Sequence, residues 1–240
     1  FVSFVEELDY EPTRCVVIGG SKVAMEYGAF FQATGCETTM VSRSPVMRSR
    51  SLHHVDEDLR HYVVDGMRKR GMTILEGAEP VSINGDGRVR SVTVRTEAGE
   101  TVELETDFVF LGLGERPDTA ELRRVLGIAV GDDGRIVANK RMQTNVPGVY
   151  AIGDMISGPM EMFKARKSGV TAARNIMGED LEFDFSEYPD FLHTTYEVSW
   201  VGLTEAEARA TRDDVIIIQM PPYVDGLDTP NLPLPCAEGT

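Results

Sequence analysis

The chain has 240 residues, of which 42% are hydrophobic and 26% are charged, as in an ordinary globular protein. Its formal net charge of −15 at pH 7 disfavours nucleic acid or an anionic membrane as a partner, because both bind basic surfaces. We find no apolar run near the roughly 18 residues of a membrane span and no basic leader of a signal peptide. The three cysteines form no C-x-x-C pair, which predicts a reducing, cytoplasmic compartment and no zinc site.

The first predicted strand, residues 15–18, ends in two glycines, and a helical pattern over residues 22–34 follows directly. This order is typical of a dinucleotide-binding βαβ unit, whose glycines let the backbone approach a pyrophosphate at the helix N-terminus. Relative to the G-x-G-x-x-G pattern, Ser21 replaces the second glycine and Ala24 the third. Glu26 either lies near the nicotinamide or forms a salt bridge on the helix face. The predicted cofactor contacts in this stretch are Gly19, Gly20, Ser21, Lys22 and Glu26.

The residues after the second predicted strand, 37–42, favour NADPH over NADH. NAD-specific sites place an acidic residue at this point, on the ribose hydroxyls. Here the strand ends in Ser42 and Arg43, with Arg48 and Arg50 just beyond. Guanidinium groups suit a 2′-phosphate, so we predict that Ser42, Arg43 and Arg48 bind it. The alternative is a surface loop that happens to be basic.

The rest of the first predicted domain, which spans residues 1–112, contains segments with the helical period and segments with the strand period. A helix over residues 56–70 and a strand over 72–75 continue the βαβ pattern. Three segments of alternating apolar and polar residues then predict an antiparallel meander. They are residues 80–83, 89–96 and 101–104. Residues 107–112 are predicted to form a buried parallel strand that closes the domain.

The remainder of the chain has a different pattern. Residues 121–126 and 161–177 predict helices, and a β pair is predicted around residues 134–137. Later, residues 195–201 and 215–220 predict strands, separated by a helix that Thr204 and Glu207 open as a capping box. From the pattern alone, Met160 and Met162 are core residues, and Arg166 is a solvated helix charge.

Three features in this order resemble the pyridine nucleotide-disulfide oxidoreductases, the flavoenzyme group of dihydrolipoamide dehydrogenase and glutathione reductase. They are the glycine turn at residues 19–24, the strand and turn at 107–114, and the run T-N-V-P-G-V-Y-A-I-G-D at 144–154. The resemblance covers essentially the whole chain and implies FAD as a second cofactor. It implies that Asp154 hydrogen-bonds the FAD ribityl chain. Further cofactor contacts implied by the same segments are Gly112, Gly114 and Gly153.

Within that group, residues 105–115, 158–169 and 188–194 are similar to NADPH-dependent 2-oxopropyl-coenzyme M reductase (carboxylating). The resemblance implies that a reduced cysteine pair attacks a thioether and releases an enolate of acetone, which CO2 traps as acetoacetate. It also implies that Arg166 binds the substrate sulfonate and that Met162 lines the same pocket. Two alternatives stay open. The substrate is a disulfide, lipoamide or a related thioether, or the protein is a nucleotide-binding piece without turnover.

We therefore expect an α/β protein with a Rossmann-like NAD(P)-binding domain that carries an antiparallel meander. Residues 113–187 would form the second segment of the FAD-binding domain, and residues 188–240 the start of an α+β interface domain. Neither the family's first FAD fingerprint nor its redox cysteine pair is present in this sequence. We accordingly expect a piece of a longer protein, inactive by itself, with a small-molecule substrate and a homodimeric full-length form. The four histidines show no metal-ligand spacing, so no metal is predicted.

Overall fold

The computed structural model describes residues 8–185 and 188–218, which divide into two compact units. Of these residues, the first unit contains 8–113, 192–198 and 203–218. The second unit contains residues 114–185, 188–191 and 199–202. The α/β fold class predicted from the sequence is confirmed, with one parallel sheet and separate antiparallel strands.

A four-stranded parallel sheet lies at the centre of the first unit, in the order β3-β2-β1-β7. Its strands are β1 (Arg14–Ile18), β2 (Glu37–Ser42), β3 (Thr73–Glu76) and β7 (Phe108–Leu111). β1 pairs with a strand on each side, and its last four residues are buried, as expected for the central strand of a parallel sheet. The glycine turn therefore lies at the carboxyl edge of this sheet, where α/β proteins bind their ligands.

The helix α1 (Lys22–Ala33) follows the glycine turn and packs through its small side chains. Its larger side chains Val23 and Phe30 are 36% and 47% exposed. The buried residues are Ala24, Met25, Gly28, Ala29 and Phe31. A Cβ at Gly28 would lie 3.2 Å from Met72 Cε, so the small residues allow the helix to approach the sheet closely.

The predicted meander is present as the three-stranded sheet β4-β5-β6. Its strands are β4 (Glu79–Asp86), β5 (Arg88–Arg95) and β6 (Thr101–Glu105). Val92 and Val94 of β5 share one buried cluster with Val16 and Val41 of the parallel sheet. The meander therefore covers one face of the parallel sheet and extends the core of the first unit.

Residues 192–198 and 203–218 return to the first unit, where Tyr196 contacts the helix α2 (Glu57–Lys69). The Tyr196 ring packs edge-on against Tyr62, with the ring centroids 5.1 Å apart. The guanidinium of Arg70 lies 5.5 Å from the centroid of the same ring. Tyr196 occupies the space above Gly66, where an added Cβ would lie 2.4 Å from its Cδ2 atom.

The final described helix, α5 (Glu205–Thr211), begins with the predicted capping box. The Thr204 hydroxyl accepts a hydrogen bond from the Glu207 backbone N–H, and the Glu207 carboxylate accepts one from the Thr204 N–H. The predicted strand at residues 215–220 is wrong for residues 215–218, which form no strand, and residues 219–220 lie outside the described residues.

The second unit contains the two predicted helices, α3 (Ala120–Leu126) and α4 (Met162–Ile176). The predicted β pair around residues 134–137 is reduced to isolated bridges from Ile136 to Val130 and to Ile156. A tight turn at residues 131–134 uses the neighbouring backbone groups and leaves little strand to pair. The strands β8 (Asp190–Leu192) and β9 (Val198–Trp200) form a two-stranded sheet. β9 is shorter than the strand that was predicted over residues 195–201.

Candidate nucleotide sites

The glycine turn after β1 joins two parallel strands and the start of α1. The Gly19 N–H donates to Val41 O over 2.9 Å, and the Gly112 N–H donates to Ile18 O over 2.8 Å. The Ser21 hydroxyl donates to Gly112 O over 3.0 Å and accepts from the Ala24 N–H over 3.3 Å. Ser21, the departure from the glycine fingerprint, is therefore the N-cap of α1.

Close backbone packing accounts for the glycines of this turn. Gly19 has a φ of +131°, and a Cβ on it would lie 2.3 Å from Gly112 O. A Cβ on Gly20 would lie 2.6 Å from Ser42 Oγ, and one on Gly112 would lie 2.6 Å from Ala24 Cβ. These contacts keep the turn tight and bring the end of β7 against the start of α1, as a dinucleotide fingerprint requires.

Ser51, which no sequence motif indicates, contacts the first turn of α1. The Lys22 N–H donates to Ser51 Oγ over 2.9 Å, and Ser51 Oγ lies 2.8 Å from Ser49 Oγ. The loop after β2 therefore reaches the positive end of the helix, where anions bind.

The loop after β2 borders a cavity of about 670 Å³. The charged side chains that line it are Arg43, Arg48, Arg95, Glu76, Glu79 and Glu97. Arg43 and Arg48 are exposed, whereas Ser42 is buried and donates to Ser44 O over 2.7 Å. The structure thus brings the two predicted arginines to one cavity and turns the predicted Ser42 hydroxyl toward its own loop.

Glu76 has two structural partners. Its Oε1 atom accepts from the Val46 N–H over 2.7 Å, and its Oε2 atom pairs with Arg68 Nη2 over 3.1 Å. The carboxylate therefore holds the arginine-bearing loop in place and is partly neutralised by Arg68. Because of these contacts, we assign Glu76 to loop positioning and leave ribose binding unassigned.

Glu26 makes a contact that neither sequence alternative named. Its Oε1 atom accepts from the His193 backbone N–H over 2.9 Å, in the segment that returns to the first unit. His193 Nδ1 lies 3.1 Å from Glu197 Oε1. The structure therefore uses Glu26 to anchor residues 192–198, and its predicted nicotinamide contact stays a prediction.

In the second unit, the predicted flavin residue Asp154 lies on a short helical turn at Gly153–Met155 with its side chain exposed. Gly153 has a φ of +63°, and its N–H donates to the buried hydroxyl of Ser168 over 3.0 Å. Arg135 Nε donates to Asp154 O over 3.2 Å. The backbone on both sides of Asp154 is therefore held by hydrogen bonds, and its carboxylate faces outward.

Lys164 stabilises the same loop from inside the unit. Its side chain is only 2% exposed, and its Nζ atom donates to Ile156 O over 2.9 Å and to Ser157 O over 3.4 Å. Burial lowers the pKa of Lys164 to about 8, with Arg135 adding to this effect and Asp154 opposing it. The sequence contained no signal for this residue, because a lysine on a helix is usually solvated.

The two predicted substrate residues lie one turn apart on the exposed side of α4. Met162 is 72% exposed and Arg166 is also exposed, while Lys164 and Ser168 on the opposite face are buried. Met160 is 44% exposed, and its Sδ atom accepts from Arg135 Nη2 over 2.8 Å. The pattern-based expectation that Met160 and Met162 are core residues is therefore wrong, because the buried side of α4 lies opposite Met162 and Met160 precedes the helix.

The remaining predicted cofactor residue, Gly114, has a φ of +87°, and an added Cβ there would meet no atom within 4 Å. Its positive φ accounts for the glycine, and no contact in the second unit assigns it to a cofactor. Among residues 8–185 and 188–218, no group of three or more His, Cys, Asp or Glu side chains is placed to hold a metal ion.

Cys15 and Cys36 are free and buried. Burial raises the pKa of Cys36 to about 11 and that of Cys15 further. Both thiols are therefore protonated at neutral pH and unreactive. In the part of the chain that the structure describes, no helix combines the length and apolarity of a membrane span.

A parallel sheet with a glycine turn at its carboxyl edge and arginines in the loop after β2 defines an α/β protein of the dinucleotide-binding type. The family described as pyridine nucleotide-disulphide oxidoreductase matches residues 5–169. The chain belongs to this family.

Individual relatives match most of this chain and less than half of their own length. The dihydrolipoyl dehydrogenase of Thermus scotoductus is 33% identical over 213 residues, which cover 88% of this chain and 45% of the relative. The mercuric reductase of Shewanella putrefaciens is 32% identical over 208 residues, or 86% of this chain and 35% of the relative. The chain therefore corresponds to part of the length of these proteins.

Among solved structures, the Cu(II) complex of the HOCl-induced flavoprotein disulfide reductase RclA from Escherichia coli is similar to this chain, with a TM-score of 0.73 and 25% identity. The match covers 87% of this chain and 46% of that one. It supports the α/β fold described above.

Proposed function

We propose that the full-length protein is a flavoprotein oxidoreductase that takes reducing equivalents from NADPH. The observation that carries this proposal is the cavity beside β2, where Arg43 and Arg48 lie and no acidic residue ends the strand. Two guanidinium groups at this point suit the 2′-phosphate of NADPH, whereas an NAD-specific site would end the strand in a carboxylate. The capped glycine turn supplies the adjoining pyrophosphate position.

The second unit supports FAD as the resident cofactor. Asp154 is exposed on a turn that Arg135, Lys164 and Ser168 hold by hydrogen bonds to its backbone and to the residues beside it. A carboxylate oriented in this way can accept hydrogen bonds from ribityl hydroxyls. The chemistry that FAD would supply here is the transfer of two electrons from a hydride donor to the substrate.

For the substrate we propose 2-oxopropyl-coenzyme M, which the full-length protein would cleave reductively and carboxylate to acetoacetate and coenzyme M. The proposal rests on the resemblance of residues 105–115, 158–169 and 188–194. The exposed pair Met162 and Arg166 supports it, because one thioether-compatible and one cationic side chain face the same side of α4. A guanidinium there suits a sulfonate.

A second candidate is the reduction of a disulfide or of lipoamide. The names of the relatives favour it, since they include dihydrolipoyl dehydrogenase and a flavoprotein disulfide reductase. A third candidate, a nucleotide-binding protein without turnover, predicts NADPH binding and no flavin reduction.

We further propose that the full-length protein is a cytoplasmic homodimer. Size-exclusion chromatography with light scattering would test the dimer.

The nucleotide assignment is tested with Arg43→Glu in the flavin-loaded, full-length protein. We expect flavin reduction by NADPH to weaken at least tenfold more than reduction by NADH, because the new carboxylate repels the 2′-phosphate alone. Stopped-flow measurement of flavin bleaching at several nucleotide concentrations gives the reduction by NADPH and by NADH separately. An equal loss with the two nucleotides would remove the 2′-phosphate assignment.

The substrate assignment is tested by supplying NADPH, bicarbonate and 2-oxopropyl-coenzyme M and measuring acetoacetate. We expect Arg166→Gln to raise KM for this substrate, while the neighbouring exposed variant Lys167→Gln retains the wild-type value. If NADPH reduces the flavin but no acetoacetate forms, lipoamide and low-molecular-weight disulfides are tested next. Turnover of one of those would replace the proposed substrate and leave the NADPH assignment intact.

A further inference from the structure

We infer that Arg95 is a third arginine of the nucleotide 2′-phosphate site and that Glu79 competes with the nucleotide for it. The inference rests on the proposed use of NADPH. It adds a residue that lies 52 positions from Arg43 in the sequence, at the end of a strand of the antiparallel sheet.

The topology of the first unit brings Arg95 to the cavity. Arg95 is the last residue of β5, and in the meander it pairs directly with Glu79, the first residue of β4. β4 begins next to the end of β2, because the Ala78 N–H donates to Ser42 O over 3.1 Å. The end of β5 is therefore tied, through β4, to the loop that carries Arg43 and Arg48, and all three arginines line one cavity.

The ion pair that Arg95 makes without a nucleotide is weak. Arg95 Nη2 lies 3.1 Å from Glu79 Oε2, and the two side chains are 56% and 50% exposed. Exposed pairs of this kind contribute little to stability. The guanidinium can therefore exchange this carboxylate for another anion at small cost, and Glu79 would then be solvated.

A 2′-phosphate is the better partner of the two. It carries more negative charge than a carboxylate at neutral pH and offers three acceptor oxygens for the planar donors of arginine. Arg68, by contrast, pairs with both Asp65 and Glu76 and holds the loop. NADH has no group at this position, so Arg95 would add to discrimination between the two nucleotides and little to their shared affinity.

The test is calorimetric titration of the flavin-loaded, full-length protein with NADP+ and with NAD+. We expect Arg95→Gln to weaken NADP+ binding about fivefold to tenfold and to leave NAD+ binding unchanged. Glu79→Gln removes the competitor, and we expect it to tighten NADP+ binding by about twofold to threefold. Arg88→Gln is the matched control, since Arg88 is an exposed β5 arginine that pairs with Asp9 and lies outside the cavity.

The outcomes separate this inference from the function on which it rests. If Arg43→Glu removes the preference for NADP+ while both Arg95→Gln and Glu79→Gln leave it unchanged, the inference is overturned and the NADPH assignment stands. If Arg43→Glu also has no effect on the preference, both fall. An equal loss of NADP+ and NAD+ affinity in Arg95→Gln, without tightening in Glu79→Gln, would mean that the residue supports only the meander.

Discussion

At the scale of single residues, burying the charged Lys164 side chain costs hydration free energy, which its surroundings only partly offset. The ammonium is buried in the second unit and donates to two backbone carbonyls. The carboxylates of Asp154 and Asp133 raise its pKa and oppose the effect of burial. Its pKa of about 8 lies below that of a solvated lysine because the charged form loses hydration. The folded state therefore releases this proton at a lower pH than the unfolded chain does.

This difference predicts a pH dependence of stability. Below pH 8 both states are protonated, and the cost of burying the charge is fully present. Between about pH 8 and pH 10.5 the unfolded chain binds more protons than the folded one, so the free energy of unfolding rises with pH. From pH 7 to pH 10, we expect the wild type to gain about 2 kcal/mol relative to Lys164→Met.

Urea unfolding of the full-length protein at both pH values measures this gain. Lys167→Met is the control, because Lys167 is exposed on the same helix and should leave the pH dependence as in the wild type. An identical pH dependence in the wild type and Lys164→Met would show that the buried amine does not titrate in this range.

At the scale of elements, α2 is adapted to receive Tyr196. Gly66 lies in the interior of this helix, where glycine is about 1 kcal/mol less favourable than alanine. The structure explains the glycine, since the Tyr196 ring fills the space in which a Cβ would lie. Tyr62 and Arg70 flank the same ring and complete its surroundings.

We therefore predict that the effect of Gly66→Ala changes sign with its background. In the wild type it should destabilise by about 1–3 kcal/mol, because the overlap with Tyr196 outweighs the gain in helix propensity. In Tyr196→Ala the same change should stabilise by up to about 1 kcal/mol. A double-mutant cycle by urea unfolding measures both, and additive effects would mean that Tyr196 does not occupy this position in solution.

At the scale of the whole molecule, 39 acidic residues against 24 basic ones leave a net charge of −15. The described ion pairs are mostly exposed, so each contributes little and weakens with salt. Repulsion among the excess carboxylates acts over longer distances and is also screened. Because the excess is large, screening should on balance stabilise the fold.

We therefore expect the Tm of the 240-residue chain to rise by several degrees when KCl is increased from 0.05 M to about 1 M at pH 7, as the Debye length falls to about 3 Å. Differential scanning calorimetry measures the shift. Near the pI of about 4.7 the net repulsion vanishes, and the same salt increase should have little effect. A Tm that falls with salt at pH 7 would show that the surface ion pairs dominate.

The order of elements from β1 to β7 could be predicted from the sequence alone, whereas the return of residues 192–198 and 203–218 to the first unit could not. Strand β2 was predicted with its observed bounds, and the α5 capping box was predicted with its two residues, Thr204 and Glu207. Both depend on local signals: side-chain periodicity, stop residues and hydrogen bonds between neighbours in the chain. The glycine turn and the basic residues after β2 are also contiguous, which made the nucleotide hypothesis possible.

What the sequence could not predict depends on contacts between distant residues. Arg95 reaches the cavity of Arg43 only because β4 and β5 fold back beside the end of β2. Lys164 and Met162 lie two positions apart on one helix, yet one is buried and the other exposed. Periodicity shows which residues share a helix face, but only the packed structure decides which face meets the core.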